Sequence, residues 1–159
     1  RRRCASPRRP RDDPRMTAVL VTRPEPGTAE TCARVAALGF AAIPAPALVL
    51  APLPVAPFGP VQALLLPSRA AAPATALPAA ALDALHKGRV GWALFFSPRS
   101  ATCALRLLEG AGLAAAARGI VAIAISPRVA AALESLPWRE VRIAPRPHQD
   151  AMLELLTRR

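Results

Sequence analysis

One alternation constrains this chain more than anything else in it. Short apolar, β-branched runs recur at Thr17–Thr22 "TAVLVT", Arg89–Phe96 "RVGWALFF", Arg118–Ile125 "RGIVAIAI" and Arg139–Ala144 "REVRIA". Such runs read as buried strands. Helix-forming stretches separate them. After the first strand, Ala29, Cys32, Ala33, Val35, Ala36 and Leu38 fit one helix face and Gly39 fits a stop. Ala79–Gly88, Ser100–Leu113, Arg128–Leu136 and His148–Arg159 supply further helices. Between them, Ala41–Leu53 reads as a broken second strand and Val61–Leu66 as another, followed by a turn and an abrupt helix start. The fold class expected is α/β: a parallel sheet of about five strands with helices on both faces. Right-handed crossovers then set all strand C-termini along one edge, outside which ligands of open sheets lie.

The residues at that edge are alike. The strand ends read "VLVTRPEPG" with Arg23, "LLLPSRAA" with Ser68 and Arg69, "LFFSPRSA" with Ser97 and Arg99, "IAISPRVA" with Ser126 and Arg128, and "RIAPRPHQD" with Arg146. Serine is a favoured N-cap and proline fits the first helical position, so each Ser-Pro has a local reason as a helix start. Helix N-termini also favour anions. Five arginines converging on one edge add a second reading, a basic crevice for a carboxylate- or phosphate-rich ligand. There is no GxGxxG, GxxxxGK[ST] or GxSxG, which removes support for nucleotide or hydrolase chemistry.

Composition bounds the rest. With 159 residues the chain suits one domain, and at 4% aromatic its core must be mostly alanine, leucine and valine. The net charge of +11 is uneven: residues 1–15, "RRRCASPRRPRDDPR", hold seven of the 21 basic residues and two of the 10 acidic ones. They read as a disordered basic extension, with Met16 as the natural start. Cys4, Cys32 and Cys103 form no CxxC, and His86 and His148 have no ligand-like neighbours, so reduced thiols and no metal are expected. No apolar run is long enough to suggest a membrane span, and the absence of a signal peptide makes the cytoplasm the expected address.

Two stretches together resemble a known family. "VLVTRPEPGTAETCARVAALGF" with "IPAPALVLAPL" is similar to the opening of uroporphyrinogen-III synthases. "ALFFSPRSATCALRLLEGAGL" with "VAIAISPRVAAALESLPWREVRIAPRPHQDAMLELL" is similar to their C-terminal part. The resemblance covers most of Met16–Leu156. It implies a lyase of tetrapyrrole (porphyrin, haem) biosynthesis without metal or organic cofactor. Such enzymes close hydroxymethylbilane, a linear tetrapyrrole with eight carboxylates, to uroporphyrinogen III, losing water and inverting the last ring.

By position, Arg23 matches the family's first-strand arginine and Ser97 its serine after the strand. Arg23, Ser97, Arg99, Ser126 and Arg128 are the expected substrate-binding residues, and no catalytic acid is named. The resemblance implies two α/β domains, one inserted in the other. Here residues 16–50 and 79–159 would form the terminal domain, and 51–78 a proline-rich remnant of the other, with most of that second domain lost between about Ala72 and Ala79. The family's connector tyrosine has no counterpart, since the chain has no tyrosine. A monomer without membrane or nucleic-acid partners is expected. The alternative is a non-enzymatic basic α/β module that binds polyanions or nucleic acid through its arginine-rich lead.

Overall fold

The computed structural model describes residues 18–52 and 69–157. In chain order these form β1 (Ala18–Val21), α1 (Gly27–Ala37), β2 (Ala41–Pro44), β3 (Leu48–Pro52), β4 (Arg69–Pro73), α2 (Ala79–His86) and β5 (Val90–Phe95). There follow α3 (Pro98–Gly110), a 3-10 helix (Ala114–Gly119), β6 (Val121–Ala124), α4 (Pro127–Ala131), β7 (Glu140–Ile143) and α5 (Gln149–Thr157). Five strands make one sheet in the order β2-β1-β5-β6-β7, every neighbouring pair parallel. The chain is an α/β fold of the doubly wound kind. The strand order reverses between β1 and β5, which makes their carboxyl ends the switch point.

Strand alternation distributes the core. Val19, Val21, Trp92, Leu94, Val121 and Ile123 pack on one face with Val35 of α1 and Ala151, Met152, Leu153 and Leu156 of α5. Leu20, Ala93, Phe95, Ala122 and Ala124 pack on the other with α2, α3 and α4. Both faces are covered, so β1, β5 and β6 are buried along their whole length, as strands of a parallel sheet must be. The expected glycine stops hold at Gly39 and Gly88, both with positive φ.

Three local expectations are corrected. On α1 the buried residues are Thr28, Thr31 and Val35, while Ala29, Ala33 and Ala36 are exposed. Alanine carries little apolar surface, and the threonine hydroxyls satisfy themselves on backbone carbonyls: Thr28 Oγ1 donates to Arg23 O at 2.5 Å and Thr31 Oγ1 to Gly27 O at 2.8 Å. The broken second strand is two strands in different sheets. β2 pairs with β1, whereas β3 pairs antiparallel with β4. Arg69–Pro73 is therefore strand rather than helix start, and Arg69 opens a ribbon instead of following a strand of the parallel sheet. The predicted strand Val61–Leu66 and Ser68 lie outside the described residues, as do residues 1–15 and Met16. Among the described residues no helix is long and apolar enough to cross a membrane.

Candidate anion cleft at the switch point

An open cleft of about 560 Å³ lies at the carboxyl ends of β1 and β5, lined by the segment Arg23–Gly27, Glu30, Leu48, Phe96, Ser97 and Ser100. Its position is dictated by the strand order, because adjacent crossovers leave β1 and β5 in opposite directions across the sheet and open a crevice there. A smaller groove of about 360 Å³ runs between α1 and α5, away from that edge, and includes Arg34, Leu38, Asp150 and Leu153.

Arg23 sits in the cleft with its guanidinium held on several sides. Nη1 donates to Gln149 Oε1 at 2.5 Å and to Thr31 Oγ1 at 3.2 Å. Its Cζ stands 4.8 Å from the centroid of the Phe96 ring. The loop that carries it is fixed separately, by the Thr28 bond to its carbonyl. The two acidic residues of the rim are engaged with their surroundings. Glu25 Oε2 accepts from Ala29 N at 3.4 Å, at the start of α1. Glu30 Oε1 accepts from Gln149 Nε2 at 3.5 Å and lies 4.0 Å from Arg34 Nη1.

The two Ser-Pro-Arg junctions prove unlike. Ser97 caps α3: its Oγ accepts from Ser100 N at 3.1 Å, with Pro98 in the first turn. Ser126 has the extended backbone of an N-cap but its side chain makes no cap bond. Ser97→Ala is accordingly expected to cost about 1 kcal/mol and to lower the melting temperature by about 2–4 °C, with Ser126→Ala staying within about 0.5 kcal/mol of the parent. Paired thermal melts would check this; equal effects would contradict the difference in capping.

The arginines divide likewise. Arg99 turns to the ribbon, where its Nη2 donates to Ala71 O at 2.7 Å. Arg128 and Arg146 are exposed and are not among the residues lining the cleft. Of the five sequence-expected residues the fold therefore brings Arg23 and Ser97 together in one cleft, and sets Arg99, Ser126 and Arg128 around it on the same edge. Sequence reasoning missed Gln149, Thr31, Gly27 and Phe96. The "HQD" start of the last helix was a legible polar cluster, but nothing local ties it to a residue 126 positions away.

Electrostatics outside the cleft is simple. The Arg34 guanidinium, through a hydrogen bond and its charge, holds the Asp150 carboxyl below the usual carboxylate range, and His148 and Arg146 add to this. Lys87 does the same for Asp83, and Arg142 for Glu140. Depressed folded-state values stabilise the fold above the unfolded carboxylate range, and the gain is lost as pH falls through the folded values. Melting temperature is expected to be flat from about pH 6 to 8 and to fall below about pH 4, less steeply in Asp150→Asn. A decline on raising pH from 5 to 8 would contradict the sign. Cys32 is a free thiol pushed up by burial and then by Glu25, so it stays protonated near neutrality.

Comparison with known proteins bears on this geometry. A family model described as Uroporphyrinogen-III synthase HemD matches residues 69–154, more than half of the 159. The chain belongs to the uroporphyrinogen-III synthase HemD family. The matched span runs from β4 into α5 and includes Ser97, Arg99, Ser126 and Arg128; Arg23 and β1–β3 lie before it. No curated protein and no solved structure matches the chain. Membership in the HemD family implies tetrapyrrole biosynthesis and a small-molecule tetrapyrrole substrate.

Proposed function

We propose that this chain acts as a uroporphyrinogen-III synthase, or keeps that enzyme's substrate-binding half: it takes hydroxymethylbilane and favours closure to uroporphyrinogen III with loss of water and inversion of the last ring. The observation that carries the reading is that, in a chain of this family, the cleft lies where a doubly wound sheet binds its ligands and has both Arg23 and Ser97 in its lining. Arg23 offers a planar, permanently charged donor set suited to a carboxylate. Arg99, Ser126 and Arg128 follow strands on the same edge of the sheet, outside the cleft lining, and offer further points for a long polycarboxylate.

The chemistry asked of the protein is mainly orientation. Unaided closure gives the non-inverted isomer, so holding the propionate and acetate arms fixes which ring carbon meets the reacting carbon. Departure of the hydroxyl as water, with a proton taken from solvent and returned when the closed macrocycle regains its aromatic rings, leaves in between a cation delocalised into the pyrrole. Glu25 and Glu30 bring to the same rim the sign of charge that steadies it. Ser97 Oγ is committed to the cap of α3 and Ser100, so its part is to shape the wall.

We further propose that residues 51–78 occupy the place of the family's inserted second domain in a reduced form, and that 16–50 and 79–159 are the terminal domain. The β3–β4 ribbon supports this, since Leu48–Pro52 and Arg69–Pro73 run side by side apart from the five-strand sheet. The test is to supply hydroxymethylbilane and separate the products by chromatography. Type III product above the uncatalysed background is expected. A product mixture equal to the protein-free control, with no binding of the substrate, would overturn the reading.

A further inference from the structure

Gly27 opens α1 directly beneath Arg23. A Cβ built at Gly27 would fall on Nε, Cζ and Nη2 of Arg23, so the guanidinium occupies the space that any other residue's side chain would take. Gly27 does not need this for its backbone: its φ is not in the left-handed region, which is held by Gly39, Gly88 and Gly112. The requirement comes from its neighbour.

The donor inventory of Arg23 is equally uneven. Nη1 is committed to Gln149 Oε1 and Thr31 Oγ1. Nε and Nη2 have no acceptor among the described residues. These two nitrogens form the side-on edge of a guanidinium, the fork that meets both oxygens of a carboxylate. Gln149 reaches Arg23 from the other end of the chain, and its own amide nitrogen is turned to Glu30. A neutral amide fits this post for a physical reason. A glutamate at 149 would grip the guanidinium more strongly but would cancel its charge toward an incoming anion.

We infer that Gly27 and Gln149 are positioning residues that seat Arg23 as a preset carboxylate receptor: Gly27 by leaving room for the guanidinium, Gln149 by fixing its Nη1 end without neutralising it. The inference rests on the proposed polycarboxylate cleft and goes beyond it in naming what presets the receptor. Two consequences separate it from a purely structural role. Gly27→Ala adds helix propensity at the start of α1, about 1 kcal/mol, which offsets most of what is lost when the far end of the Arg23 side chain is displaced from Gln149 and Thr31. Fold stability should therefore stay within about 1 kcal/mol of wild type while anion binding falls. Gln149→Glu should weaken binding more than Gln149→Met, because the former removes charge and the latter only an anchor.

The experiment is a titration of the full chain with benzenehexacarboxylate, read by calorimetry, with thermal melts alongside. Wild type is expected to bind. Gly27→Ala and Gln149→Glu are each expected to bind about tenfold or more weakly, with Gln149→Met between them and wild type. If folded Gly27→Ala and Gln149→Glu bind within twofold of wild type, the inference is overturned while the anion cleft stands. It is overturned equally if losses among the variants track melting temperature instead of charge. If wild type does not bind the probe, the cleft reading and the inference fall together. Should either variant not fold, the other decides.

Discussion

Arg23→Ala is expected to weaken benzenehexacarboxylate binding by about 10- to 100-fold, the worth of one charge-assisted pair of hydrogen bonds. The effect should be separable from unfolding. The Arg23 side chain meets Gln149, Thr31 and Phe96, whereas the loop that bears it is held through its backbone by Thr28. Loss of the side chain removes its bonds to Gln149 Oε1 and Thr31 Oγ1, Gln149 Oε1 keeping Thr31 Oγ1 at 3.2 Å, at a stability cost of about 1–2 kcal/mol. Arg23→Lys should recover only part of the affinity. An ammonium is a point charge without the planar fork, and it lacks the guanidinium's two ends, one anchored and one free. Calorimetric titration of the three proteins decides this. Equal affinity of Arg23→Ala and wild type would remove Arg23 from the site.

Phe95→Ala is expected to lower the free energy of unfolding by about 3–5 kcal/mol, read from urea denaturation. Phe95 lies at the end of the central strand β5 and is 1% exposed. It meets Trp138 edge-on with ring centroids 5.5 Å apart, a geometry that adds to simple burial. The surroundings explain why the loss should reach the upper range. Phe95 already borders a small void with Ala45, Ala93, Ala104, Leu108, Ile120 and Trp138, so its removal enlarges a gap that the three alanines cannot fill. Phe95→Leu should cost much less, about 1–1.5 kcal/mol. A cost below about 1 kcal/mol for the alanine variant would mean that this face of the sheet collapses around the gap.

How far the sequence discloses the fold depends on the range of the interactions involved. The strands β1, β5 and β6 were legible because burial on both faces leaves an uninterrupted apolar run. Gly39 and Gly88 were legible because their positive φ is a local demand. On α1 Cys32, Val35 and Leu38 face the core as read, but Ala29, Ala33 and Ala36 do not, because hydrophobic periodicity counts alanine as core. It cannot see that Thr28 and Thr31 satisfy their hydroxyls on the backbone. The β3–β4 ribbon was missed for a related reason: Pro44, Pro46, Pro52 and Pro73 read as breakers, yet an edge ribbon tolerates proline. At the site, the Ser97 cap needed only three residues of context. The Gln149–Arg23 bond joins the two ends of the chain and exists only once α1 and α5 lie on the same face of the sheet.

The ribbon also makes the sheet indifferent to what it carries. β1 touches β2 on one side and β5 on the other, so the five-strand unit is closed in register without any residue between 52 and 69. At its root Leu48 faces Pro73, and Leu48 lines the cleft. The root of the ribbon is thus a two-strand base at the mouth of the cleft. The length of chain between the two strands is nearly free, because doubling a flexible loop costs only about 0.6 kcal/mol. The ribbon itself is tied to the helical layer, because Arg99 in the first turn of α3 donates from Nη2 to Ala71 O of β4. A change of length between the two strands therefore leaves the pairing of the five-strand sheet, and with it the cleft floor, as it was.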